Sequence, residues 1–274
     1  MGQEPRVHRV ALATGVSVPC ISVGAAAGTS VVLLHAWAES WRSFDRLLPL
    51  LPGTIRALAM DLRGHGDADK PATGYTLVDA AADVVAFMDA VEIPAAVLVG
   101  SSSGGYIAQQ VAVTSPHRIA GLVLVGSPRS LQRRPSFADD VDRLTDPVDA
   151  AWVRNFLAWF PRFHPVPQWY VEDRVQDGVR MPAHVWRQTL AGLISAPPPT
   201  ATATITAPTL IVRGDRDELL THEDQEALAA AIAASRLIVY QDTGHVVLWE
   251  QPERIAADLT AFTDGLASNP PRGP

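Results

Sequence analysis

Hydrophobic and polar positions along this chain keep two rhythms. Short, almost unbroken apolar runs occur at 30–36 (SVVLLHA), 55–61 (IRALAMD), 95–100 (AAVLVG), 119–127 (IAGLVLVGS), 207–215 (APTLIVRGD) and 236–240 (RLIVY). They have strand length and are rich in branched side chains, which predicts parallel strands covered on both faces. Between them, 76–90, 103–116, 221–234 and 251–266 carry apolar residues at helical spacing. Thr76-x-x-Asp79 opens the first of these as a capping box. The stretch 43–51 (SFDRLLPLL) also reads as a helix. Two opening runs, 7–13 and 18–24, read as a β-hairpin turned at Thr14-Gly15. Alternating strands and helices predict an α/β fold: an eight-stranded, mostly parallel sheet flanked by helices.

The alternation stops near Pro128. From 129 to 199 helical pieces are broken by prolines, and strand and helix then resume. The expected organisation is a core domain of 1–128 and 200–266, a helical cap of 129–199 inserted after the sixth strand, and a frayed tail at 267–274. The inserted block holds four of the seven tryptophans and four of the seven phenylalanines in the chain. A small helical unit needs a core of its own, and some of these rings must serve it. Together they also suit an apolar roof over a pocket. The expected pocket residues are Trp152, Phe156, Trp159, Phe160, Trp169, Trp186 and Val246.

Composition narrows the function classes. The 274 residues carry a net charge of −7, which argues against nucleic acid as a partner, since phosphate binding needs clustered Lys and Arg. The lone Cys20 excludes an internal disulfide and a cysteine zinc site, and fits a reducing, cytoplasmic setting. The N-terminal stretch has no apolar run after a basic start, so no secretory signal is expected. No window approaches the ~20 apolar residues of a membrane span. No metal-ligand spacing and no phosphate loop occurs, so neither metal nor cofactor is expected. A small-molecule substrate is the expected partner, and a homodimer stays open.

One segment carries chemistry. In GSSSGG, residues 100–105, only Gly100, Ser102 and Gly104 satisfy G-x-S-x-G. A nucleophile at a sharp strand-to-helix turn holds its hydroxyl outward from a strained backbone, and its neighbours two positions away must lack bulk. A serine hydroxyl needs a base. His245, after a strand and a glycine, supplies it. A carboxylate must orient the imidazole, and both Asp215 and Asp217 follow a strand in IVRGDRD. Asp217 is favoured because it lies deeper in its loop, with Asp215 the competitor.

Several stretches together resemble the α/β-hydrolase superfamily over nearly the whole chain: LLHAW (33–37), MDLRGHGDADKP (60–71), VGSSSGG, IVRGDRD and TGHVVLWEQPE. The resemblance implies an acyl-enzyme mechanism. Ser102 attacks a carbonyl, His245 takes the proton, and Asp217 holds the imidazole. The backbone N–H groups of Trp37 and Ser103 hold the oxyanion. His35 and His65 are expected to fix loops, Arg63 to tie its loop, Tyr106 to lie in the core, and His164 and His184 to be structural. Ala36 stands where the family carries glycine, so a positive φ there would strain it. Ser102 in place of an aspartate nucleophile argues against epoxide opening and halide displacement. The leading expectation is hydrolysis of a carboxylic ester or lactone of a moderately apolar substrate. Cleavage of a C–C bond in a β-diketone-type substrate and a cofactor-free haloperoxidase or perhydrolase activity use the same constellation. A non-catalytic receptor would not need all three residues.

Overall fold

The computed structural model describes residues 6–268. Its single sheet holds β1 (Arg6–Ala11), β2 (Ser17–Val23), β3 (Thr29–Leu34), β4 (Ile55–Met60), β5 (Ala96–Ser101), β6 (Ile119–Val125), β7 (Thr209–Gly214) and β8 (Ser235–Tyr240). They lie in the order β1-β2-β4-β3-β5-β6-β7-β8. β1 and β2 form the antiparallel hairpin, β2 meets β4 antiparallel, and all later pairings are parallel. The hairpin turns through Gly15 at φ 88°, a value glycine adopts without steric cost.

Successive side chains of a strand face opposite ways, so the sheet feeds two cores. Val32, Leu34, Leu98, Leu122 and Leu124 pack with α1 (Leu77–Ala90) and α2 (Ser103–Thr114) on one face. Their neighbours Val31, Leu33, Val97, Val99 and Val123 pack on the other. There they meet Trp41, Phe44 and the C-terminal helices α9 (Val247–Glu250) and α10 (Pro252–Ser268). The Thr76–Asp79 capping box forms at the start of α1.

Between β6 and β7 the chain makes five helices: α3 (Ala138–Asp142), α4 (Ala150–Leu157), α5 (Gln168–Arg180), α6 (Ala183–Ser195) and α7 (Pro199–Thr202). These helices enclose a third apolar cluster centred on Phe137, Phe156 and Trp186. α8 (His222–Ala231) then links β7 to β8.

Two expected elements differ. The stretch 43–51 is not an α-helix but two short 3₁₀ turns, Trp41–Phe44 and Leu48–Leu50. Pro49 has no N–H to donate and its ring crowds the preceding turn, so the chain cannot continue as an α-helix there. Of the tail expected at 267–274, Ala267 and Ser268 continue α10, and 269–274 lie outside the described residues.

Candidate active site

The winding reverses between β3 and β5, and in open α/β sheets ligands collect at the strand ends of such a point. Ser102 sits there, between the end of β5 and the first turn of α2. Its backbone lies at φ 48° and ψ −117°. A non-glycine residue held in such a sparsely populated region stores about 1–3 kcal/mol of strain. The Ser102 N–H donates to Val125 O at 2.8 Å, and its carbonyl accepts from Gly105 N at 2.9 Å. A Cβ on Gly104 would strike the Leu34 carbonyl, and one on Gly100 would strike the backbone of Gly104 and Gly105. The spacing is therefore enforced by close backbone approach on both sides.

His245 lies in the loop between β8 and α9. Its Nε2 is 3.0 Å from Ser102 Oγ, and its Nδ1 is 2.8 Å from Asp217 Oδ2. The carboxylate only accepts, so Nδ1 carries the proton and the Nε2 lone pair faces the serine hydroxyl. Asp217 Oδ1 accepts from the N–H groups of Leu219 and Leu220, both at 3.0 Å, which fixes the carboxylate in its loop. Both side chains are buried. Burial alone disfavours the imidazolium of His245. The charge and hydrogen bond of Asp217 outweigh it, and the pKa is raised. Burial likewise opposes the Asp217 carboxylate, and its bonds to His245 and to the two backbone N–H groups win, so its pKa is lowered.

Asp215 takes a different position. Its Oδ1 accepts from Thr243 N at 3.1 Å, two residues before His245, and so ties the two loops. A further carboxylate completes this scaffold and escaped sequence reasoning. Glu250 Oε1 accepts from Gly244 N at 2.8 Å, while Oε2 accepts from Phe163 N at 2.6 Å and His164 N at 2.9 Å. Its place five residues after His245 was the only signal available. His164 Nε2 lies 2.8 Å from Gln251 Nε2, which gives that histidine a structural setting.

The loop at 35–38 differs from expectation. Trp37 N donates to the Ser103 hydroxyl at 2.7 Å, so one of the two expected oxyanion donors already has an acceptor. Ser103 opens α2, where the N–H has no partner within the helix. Ala36 is not at positive φ; the left-handed residue of this loop is Ala38, at φ 65°. Alanine at 36 therefore carries no such strain.

The loops beneath are fixed by the expected residues. His35 Nε2 accepts from Leu62 N at 2.9 Å, and His65 Nδ1 lies 2.8 Å from Arg63 O. Arg63 makes two 2.7 Å bonds to Asp83. Tyr106 is fully buried. His184 Nε2 rests 3.2 Å from Pro71 O.

The aromatic residues sort unequally. Phe160 stands 5.5 Å from the His245 ring, and Phe156 meets Trp37 edge-on at 5.4 Å. Phe137, absent from the expected set, touches Trp37, Phe156, Trp159 and Phe160 and links them. Trp152 stacks on Phe156. Val246 is buried beside His245. Trp186 is fully buried and its indole N–H donates to Gly178 O at 3.0 Å, so it is core behind Trp37. Trp159 is 51% exposed and lines an outer cavity of about 220 Å³ with Trp152 and Phe156. Trp169 is not among the residues that line this cavity. It is 53% exposed and its ring meets Tyr170, whose core lies against Trp249. Beside the nucleophile turn lies a smaller cavity of about 30 Å³, lined by Trp37, Ser103, His65, Tyr75, Thr189 and Leu193 among others.

Among the described residues no group of three His, Cys, Asp or Glu side chains is placed to hold a metal ion. No described helix is long and apolar enough to cross a membrane.

Comparison with known proteins matches this geometry to a family. The profile of the alpha/beta hydrolase family covers residues 31–258. A non-heme chloroperoxidase of Streptomyces lividans is 30% identical over 86% of this chain and 91% of its own. A 2-hydroxymuconate semialdehyde hydrolase of Pseudomonas sp. strain CF600 is 29% identical over 96% of this chain and 95% of its own. The solved structure of Est816, described as an N-acyl homoserine lactone degrading enzyme, superposes with a TM-score of 0.78 at 28% identity. That match covers 93% of this chain and all of Est816. With the profile spanning most of the sheet and the loops of Ser102, Asp217 and His245 alike, the chain belongs to the α/β hydrolase family.

Proposed function

We propose that this protein is a serine hydrolase that cleaves carboxylic esters, lactones included, of moderately apolar acyl groups. The observation that carries the reading is the continuous chain from Ser102 Oγ through His245 to Asp217, at 3.0 and 2.8 Å. In the proposed reaction the Ser102 oxygen bonds to the acyl carbon as its proton passes to His245 Nε2. The imidazolium then gives that proton to the departing alkoxide. Water, deprotonated by His245, releases the acid from Ser102. Ser103 N–H and Trp37 N–H receive the oxyanion. Residues 1–128 and 200–266 act as the core and 129–199 as a cap, with Phe137, Phe156 and Phe160 as its apolar underside. The test is turnover of short p-nitrophenyl esters with organophosphate labelling at Ser102; neither turnover nor adduct would end this reading.

The Ser103 hydroxyl competes with the oxyanion for the Trp37 N–H. Ser103→Ala removes the competitor, leaving in the free enzyme an N–H that the transition state satisfies. A net hydrogen bond is worth about 0.5–1.5 kcal/mol. The expected result is a roughly 2- to 10-fold rise in kcat/KM with a lower Tm. A fall in kcat/KM would show the hydroxyl to be a helper instead.

His245 works as a base only when neutral. Its raised pKa places the acid limb of the kcat/KM profile above the ordinary imidazole value of 6.5. Activity therefore climbs with pH through that limb. A limb centred below 6.5 would contradict the pairing with Asp217.

A second reading has one specific support, the similarity to a 2-hydroxymuconate semialdehyde hydrolase. A C–C hydrolase would process vinylogous diketone substrates faster than simple esters, and parallel assays on both separate the two.

A further inference from the structure

The 30 Å³ cavity beside the nucleophile turn is apolar along most of its wall, with Leu62, Leu77, Ile107 and Leu193. Three of its lining residues nonetheless carry a buried polar atom with no partner in the protein: Trp37 Nε1, His65 Nε2 and Thr189 Oγ1. A buried polar group left unpaired costs about 1–3 kcal/mol, so three such atoms on residues that line one small space suit a hydrogen-bonding guest there. Their chemistry is complementary. The Trp37 indole only donates. His65 Nδ1 lies 2.8 Å from the Arg63 carbonyl, an acceptor, so Nδ1 holds the proton and Nε2 presents a lone pair. Burial lowers the His65 pKa to about 4, which keeps the ring neutral. The Thr189 hydroxyl does either. Arg63 also lines the space, but its guanidinium is paired with Asp83 and the site offers no free charge.

We propose that this cavity is a subsite for a hydroxyl group on the acyl part of the substrate. A hydroxyl accepts from Trp37 and donates to His65 at once, as a bound water also does. A carbonyl leaves His65 unpaired, and an ammonium leaves Trp37 unpaired. The volume exceeds the ~10–15 Å³ that one water-sized guest needs, so it suits one small group. The acyl side follows from the lining. Trp37 and Ser103 border the cavity and neither Ser102 nor His245 does, so it lies on the side of the proposed oxyanion donors, whereas the leaving group must lie at His245 to collect its proton. The subsite rests on the ester-hydrolase reading above and deepens it.

The experiment measures kcat/KM by pH-stat for methyl butanoate and its 2-hydroxy and 3-hydroxy derivatives, and for methyl hexanoate with its 3-, 4- and 5-hydroxy derivatives. At one position the wild type is expected to prefer the hydroxylated ester by about 10- to 100-fold, the range for pairing otherwise unsatisfied buried groups. Thr189→Val lowers that preference at least several-fold, and Thr189→Ser, which keeps the hydroxyl, retains it. Thr200→Val is the control, since Thr200 Oγ1 is equally unpartnered but lies outside the cavity. Equal loss of preference in Thr200→Val overturns the assignment. So does turnover of every ester without preference, the result expected if the cavity merely holds water, and this leaves the ester-hydrolase reading standing. No turnover of any ester, plain or hydroxylated, overturns both.

Discussion

Ser102→Ala is expected to lower kcat for ester hydrolysis by about 10⁴–10⁶-fold, because the remaining donors and binding contacts supply only the residual catalysis seen when such a nucleophile is removed. The substitution deletes one oxygen from a residue whose backbone is fixed by Val125 and Gly105, so the fold and the substrate affinity should survive. A single-turnover assay with mass detection of the acyl adduct checks this directly. Wild type should accumulate an adduct on Ser102, and the variant none. Turnover within tenfold of wild type would assign the nucleophile elsewhere.

Asp217→Asn is expected to cost about 10⁴-fold in kcat, since an amide in place of the carboxylate can turn its N–H toward the imidazole and impose the wrong tautomer. A second effect separates this role from general damage. Asp217 supplies both the charge and the bond that raise the His245 pKa against burial. Without them burial dominates, and the acid limb of the residual activity moves to lower pH. Stability should respond too. The lowered pKa of Asp217 means that its contribution is present above the ordinary aspartate value of 3.8 and fades as pH falls through its folded value. The variant should therefore lose stability at neutral pH and little in strong acid. A large rate loss with an unmoved acid limb would make Asp217 a packing residue.

Much of this arrangement was legible because the sequence constrains it locally. The strands announced themselves through apolar runs, and the turn at 100–105 through glycines whose absent Cβ atoms are needed for backbone approach. The preference for Asp217 over Asp215 followed from loop depth alone, and the structure gives the two residues different partners, His245 and Thr243. What stayed hidden was non-local. Nothing in the sequence separates Trp169, turned outward, from Phe160, which faces His245; that choice is made by how α4 and α5 pack. Phe137 was overlooked because it precedes a five-residue helix with no rhythm of its own. The 43–51 stretch shows the opposite failure, an apolar pattern overruled by one proline.

Glu250 gathers two donors from residues 163–164 and one from the residue before His245. One carboxylate thus ties residues 163–164 to the loop that carries His245. Two segments far apart in the chain therefore share one anchor, and loss of this single side chain would untie both at once.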